Sequence, residues 1–211
     1  MQIHRLVFSP FEVNTYIISD KSKECVIIDP ACYNKQEQEY LIKFLKENDL
    51  KPVKLLNTHC HLDHVFGNKF VSDTFNLKAE AHKDEDFNIS NALNSASIYG
   101  LDMDEPYPIY KYLNEGEIIK FGFSELKILH VPGHSAGSLV FYNEQNKFAI
   151  VGDVLFNNSI GRTDLPGGDY DTLISQIKTK LFNLQDDTTA YPGHGIATTI
   201  GKEKKTNPFL V

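Results

Sequence analysis

Thr58-His59-Cys60-His61-Leu62-Asp63-His64 packs three imidazoles and a carboxylate into seven residues. Neutral imidazole nitrogen and carboxylate oxygen are ligands that divalent metals take, so this stretch reads first as a metal-binding motif. In an extended loop His59 and His61 are two apart and point to the same side, where they can share one ion. Asp63 and His64 follow a turn later and can serve a second ion at the spacing of two-metal hydrolases, about 3.5–4 Å.

Working outward, residues 53–56 form a short apolar run that reads as a buried strand, with the motif just past its carboxyl end, where layered α/β proteins place their chemistry. Before it, residues 34–48 repeat Tyr40, Leu41, Phe44 and Leu45 at helical spacing behind a possible cap, Asn34. Residues 3–8, 13–18 and 25–28 read as strands, being rich in β-branched and aromatic residues and broken by Pro10 and a polar turn. Past the motif, helices are expected at 68–75 and 83–93 around a strand at 78–81. Residues 94–116 carry four tyrosines and two prolines without a clean period and read as a covering loop or a lid. Strands at 118–121, 125–131, 138–142 and 148–151 suggest an antiparallel meander. A helix at 170–184, a strand at 188–191 and a helix at 200–205 complete the chain. Two halves of strands followed by helices predict one domain, residues 1–211, of α/β class: a four-layer αββα sandwich.

Each ion needs further ligands. Three segments supply a candidate beside glycine at the end of an expected strand: Pro132-Gly133-His134-Ser135, Val151-Gly152-Asp153 and Pro192-Gly193-His194-Gly195. Glycine lets the backbone turn sharply and approach a site closely.

These motifs, together with Asn57 before the first and Gly161-Arg162-Thr163-Asp164, resemble those of the metallo-β-lactamase-fold hydrolases, and within them the glyoxalase II-like (hydroxyacylglutathione hydrolase-like) branch. The resemblance extends over nearly the whole chain. It implies that His59, His61 and His134 hold one metal, that Asp63, His64 and His194 hold another, and that Asp153 bridges both. Zinc is the expected metal, with iron or manganese accepted by the same donors. The implied reaction is hydrolysis of a thioester by a metal-bridging hydroxide that Asp63 orients, which makes Asp63 the catalytic candidate. Longer members carry a C-terminal helical region that helps bind glutathione. Here residues 195–211 alone follow His194, so glutathione is not implied as the thiol. A one-iron persulfide dioxygenase is the alternative, since its members are similar over residues 57–63 and 161–164 and use two His and one Asp, matching His59, His134 and Asp153. Lactone, β-lactam and phosphoester hydrolysis use the same nucleophile.

Arg162 could reach a substrate carboxylate, but pairing with Asp164 to brace the loop is the better reading. Cys60 alternates away from the metals and reads as a packed thiol. His4, His82 and His130 have no partner ligands at metal-site spacing. A net charge of −7 would repel phosphate backbones, so a small-molecule substrate is expected rather than nucleic acid. No apolar run approaches the ~18 residues of a membrane span, and the N-terminus lacks the apolar core of a signal peptide. A cytoplasmic location and three free thiols (Cys25, Cys32, Cys60) are therefore expected. Nothing in the sequence speaks to oligomeric state.

Overall fold

Alternation along the strands sends side chains into three separate cores, and these define the layers. The computed structural model describes residues 1–211. One six-stranded sheet runs in the order β1 (Gln2–Phe8), β2 (Val13–Ser19), β3 (Glu24–Ile28), β4 (Lys51–Leu56), β5 (Ala79–Ala81), β6 (Lys111–Tyr112). The other contains β7 (Ile118–Phe121), β8 (Ser124–His130), β9 (Leu139–Asn143), β10 (Phe148–Gly152), β13 (Thr189–Pro192) and β14 (Thr198–Thr199), in the spatial order β14-β13-β10-β9-β8-β7. A small hairpin, β11 (Leu155–Phe156) and β12 (Ser159–Ile160), stands apart.

Ile17, Ile27 and Leu55 point outward and pack under Leu41 and Leu45 of α1 (Lys35–Glu47) and Val71 of α2 (Asn68–Phe75). Their neighbours Tyr16, Ile18, Val26, Ile28 and Leu56 point inward, against Ile128, Phe141 and Ile150 of the second sheet. On the far side Leu129, Val140 and Val151 lie under Leu173 and Ile177 of α4 (Tyr170–Thr179) and Ile200 of α5 (Ile200–Thr206). The layers thus run helix, sheet, sheet, helix, the expected sandwich. Burying each such aliphatic side chain stabilises by roughly 1.5–3 kcal/mol.

Strand direction positions the site. β4 is parallel to β3 and β5, while β10 is parallel to β13 and lies two antiparallel steps from β8. The carboxyl ends of β8, β10 and β13 therefore share one edge, and the segments after them, 131–137, 153 and 193–195, emerge together. The helix expected at 34–48 forms behind its cap: Asn34 Oδ1 accepts from Glu37 N at 3.0 Å.

Several boundaries depart from expectation. The helix expected at 83–93 starts as a 3-10 turn (Lys83–Glu85) and continues as α3 (Asp86–Ile98), taking in the first residues of the supposed covering loop. Within that loop Tyr107 packs on the first core, whereas Tyr99, Tyr110 and Tyr112 stay exposed, and β6 adds an edge strand that the sequence did not suggest. The helix expected at 170–184 ends at Thr179, and a 3-10 turn (Leu181–Asn183) replaces its last part. The three cysteines are buried and free. No helix is long and apolar enough to cross a membrane.

At the opposite edge Asp20 stitches the two sheets. Its Oδ1 accepts from Ser22 N at 2.8 Å, and its Oδ2 accepts from Phe123 N at 2.7 Å and Ser124 Oγ at 2.8 Å in the β7–β8 turn. Burial works against the charge, but these hydroxyl and amide donors win and pull the Asp20 carboxyl down to about 2. A depressed carboxyl stabilises fully above its unfolded value near 3.8 and loses that contribution as pH falls through about 2. Asp20→Asn is therefore expected to melt a few degrees below wild type at pH 7, with the gap closing near pH 2; a gap that persists unchanged at low pH would refute this.

Candidate metal centre

The segment after β4 stays extended to His61 and then closes into a 3-10 turn, Leu62–His64. This brings all four of its candidate ligands to the edge where His134, Asp153 and His194 arrive. His134 Nε2 lies 2.9 Å from His61 Nδ1 and 3.2 Å from His59 Nε2, so three ring nitrogens face one point. On the other side His194 Nε2 lies 3.2 Å from Asp63 Oδ2, and His64 Nε2 lies 3.8 Å from the same oxygen. Asp153 stands between the groups: Oδ1 is 3.5 Å from His64 Nε2, and Oδ2 is 3.5 Å from His194 Nε2 and 3.8 Å from His134 Nε2. All seven sequence-derived residues are thus brought together in two sets.

At four of the five histidines the outer nitrogen fixes which inner one is free; His61 instead turns Nδ1 inward, and its Nε2 has no partner. His134 Nδ1 donates to the Arg162 carbonyl at 2.8 Å, and His194 Nδ1 to the Phe11 carbonyl at 3.0 Å. His64 Nδ1 meets Asp29 Oδ2 at 3.1 Å, and His59 Nδ1 meets Thr58 Oγ1 at 3.1 Å. A donor bond at Nδ1 leaves Nε2 with its lone pair toward the centre, as in histidine metal sites generally. His64 Nε2 and Asp153 Oδ1 are buried with no hydrogen-bond partner, a costly arrangement that a divalent cation would resolve. The donors fit two such ions.

Charge balance supports the same reading. Burial, reinforced by the imidazoles of His64, His61 and His134, pushes His59 well below its ordinary value. His61 is likewise pushed down to about 3, by burial and then by His134 and His64. Both are neutral and available as ligands near pH 7. Burial alone would raise the Asp63 and Asp153 carboxyls, yet His64 and the other imidazoles hold both below the usual carboxylate range. Burial opposes charge on His64, but Asp153 and Asp63 outweigh it and hold His64 well above its ordinary value, so an ion binding there must displace the proton from Nε2. Two buried carboxylates here demand positive charge.

Residues outside the sequence reading build the frame. Asp29, just past the strand at Glu24–Ile28, is buried with a left-handed φ of 50°. That strained conformation aims its carboxylate at Thr58 N (2.7 Å), Thr58 Oγ1 (2.6 Å) and His64. From β2, Asn14 Nδ2 and Tyr16 Oη donate to the Pro192 carbonyl at 2.9 and 2.7 Å, while Arg5 Nη1 donates to the Gly195 carbonyl at 2.7 Å, tying the His194 loop to the opposite sheet. Gly193 must lack a side chain, since a Cβ there would meet Asp153 Oδ1 and come within 2.7 Å of His64 Cε1. A lone Asp or Asn at a strand end is too common in sequences to reveal these roles.

The lesser candidates resolve plainly. Arg162 Nε and Nη2 pair with Asp164 at 2.7 and 2.8 Å, the contact a brace would make; Arg162 also borders the cavity and its carbonyl anchors His134. Cys60 packs with Val65, Ala81 and Ile89. His82 and His130 do gain a partner in space, Asp84, with ligand atoms within 4.8 Å of one another, but His130 Nε2 meets the Ala136 carbonyl at 2.9 Å, His82 Nδ1 accepts from Asp84 N at 3.2 Å, and the two rings stack on each other. The centre opens into a cavity of about 490 Å³, walled by α3 through Asn88, Asn91 and Ser95 and rimmed by Phe87, Ile98 and Tyr99.

Residues 9–194 match the metallo-beta-lactamase superfamily, and the chain belongs to that family. It is 42% identical to the Haemophilus influenzae protein named hydroxyacylglutathione hydrolase GloC, covering 100% of this chain and 98% of that one. Among solved structures, BLEG-1 B3 metallo-beta-lactamase superposes with a TM-score of 0.88 at 34% identity, covering 100% of both chains. TTHA1623, crystallised in a di-iron-bound form, does so with a TM-score of 0.88 at 33% identity, over 98% of this chain and 100% of that one.

Proposed function

We propose that this chain is a binuclear metal-dependent hydrolase of thioesters, acting on a small acyl-thiol substrate. The observation that carries the reading is the pair of donor sets with Asp153 between them: His59, His61 and His134 would hold one ion, Asp63, His64 and His194 the other, and Asp153 would touch both. Ions held by these residues would supply the chemistry of a water made nucleophilic at neutral pH and of a polarised acyl carbonyl. The residues do the rest. Asp63, ionised and lining the cavity, accepts a hydrogen bond from the attacking water and sets its direction. Phe87, Ile98 and Tyr99 shelter the apolar part of the substrate, and the amides and hydroxyl of α3 meet its polar part. The 42% identity to a hydroxyacylglutathione hydrolase favours thioesters over β-lactams, which the 34% relative's name would suggest.

Zinc suits these donors, and the di-iron relative supports iron as an occupant. A one-iron dioxygenase on His59, His134 and Asp153 would leave Asp63, His64 and His194 without work, and their convergence favours two ions. Metal analysis followed by thioester, lactone, β-lactam, phosphoester and persulfide substrates tests the proposal. Two ions per chain with thioesters turned over fastest is the expected result; one iron with oxygen uptake on a persulfide would overturn it.

A further inference from the structure

Glu85, the last residue of the 3-10 turn before α3, is completely buried, and its carboxylate is held by amides. Oε2 accepts from Cys60 N at 2.7 Å and from Asn88 Nδ2 at 2.8 Å; Oε1 accepts from Gly137 N at 2.8 Å. Burying a carboxylate is costly unless its oxygens are satisfied, and bonds from N–H to an ionised acceptor are among the strong ones. What these bonds join is informative. Cys60 sits between His59 and His61, and Gly137 lies three residues after His134. One carboxylate therefore clips together, from behind, the two loops that bring the first three imidazoles to one point. Gly137 is shaped to allow it: a Cβ there would come within 2.7 Å of Glu85 Cγ and 2.8 Å of Oε1.

We propose that Glu85 is a positioning residue for the His59–His61–His134 half of the centre, fixing the distance between its two loops and so the retention of that ion. The inference rests on the reading of those histidines as ligands. The second half is braced elsewhere, with His64 on Asp29 and His194 on the Phe11 carbonyl, so loss of Glu85 acts on one half. Through Asn88 the same carboxylate also ties the cavity wall to both loops.

The test compares wild type, Glu85→Gln, Gly137→Ala and a control, Leu45→Ala, which opens a cavity under α1 far from the centre. Zinc-loaded crystals are exposed to dipicolinate, and anomalous scattering reads the occupancy of each half. Both Glu85→Gln and Gly137→Ala are expected to lose the ion at His59, His61 and His134 about 10–100-fold faster than wild type, the range for residues that orient ligands from behind, with the other ion far less affected. The control should lose neither selectively. In parallel, amide exchange on metal-free protein should speed up at Cys60 and Gly137 in Glu85→Gln. Equal retention of both ions, or loss of both in step with thermal stability as in a merely destabilised protein, overturns the proposal. A wild type that holds no ion would sink the metal reading and this role with it, whereas a wild type with two ions and a Glu85→Gln protein that keeps both would sink this role alone.

Discussion

Asp153→Asn is expected to lower turnover on the order of a thousandfold, about 4 kcal/mol of transition-state stabilisation, and to reduce the metal content below two ions per chain. Asp153 is the one carboxylate whose oxygens face both donor sets, with Oδ1 toward His64 and Oδ2 toward His194 and His134. The amide keeps the shape but removes the charge, and it turns one oxygen into an NH2 group that has no lone pair to offer. The side-chain volume is unchanged, so packing is kept. A drop in metal content between variants whose metal-free forms melt alike separates the ligand role from a packing role. Full metal content with near wild-type rates would refute the assignment of Asp153 as the shared residue.

How much of this centre the sequence disclosed follows from how local its chemistry is. His59, His61, Asp63 and His64 announce themselves through spacing, and His134, Asp153 and His194 through flanking glycines at strand ends. Asp29 and Glu85 announce nothing, because the groups they hold are mostly backbone amides, which every residue possesses, at Thr58, Cys60 and Gly137. The fold divides the same way. Strands with buried faces and a capped amphipathic helix such as α1 were legible, as was the layering they imply. The two-residue strand β6 was not, since both Lys111 and Tyr112 are exposed and only pairing with β5 defines it. The run on to Ile98 in α3 escaped because Asn94, Ser95 and Ser97 carry no apolar period, although Ala92 and Ala96 bury one narrow stripe.

The stripe matters for function because the flank of α3 beside it faces the cavity. Seated by Ile89, Ala92 and Ala96, the helix leaves Asn91 and Ser95 to line the mouth beside Asn88. Substrate choice can thus change through α3 without disturbing the centre, apart from Asn88, whose amide is shared with Glu85.

Asp63 carries two assignments that a pair of substitutions can separate. Its Oδ2 lies 3.2 Å from His194 Nε2, and the carboxylate also borders the cavity, so it is placed both to hold an ion and to meet the attacking water. Asp63→Ala removes both functions and is expected to lose most turnover, together with occupancy at His64 and His194. Asp63→Asn retains an oxygen in the same place but is no longer a base. If orientation and proton acceptance are its main contribution, the Asn variant should keep much of its metal while turnover falls roughly 10²–10⁴-fold, the usual worth of a positioned acid–base group. If ligation is its main contribution, rate should instead track occupancy and be restored by excess metal. Rates are therefore to be compared at matched metal content, and near wild-type turnover of either variant with both ions bound would remove Asp63 from the mechanism. Because the carboxylate opens onto the cavity as well as onto His194, the first outcome is the expected one; burial pushes the Asp63 carboxyl up, but His64 and His194 hold it below the usual range, so it is ionised near neutral pH, as either role requires.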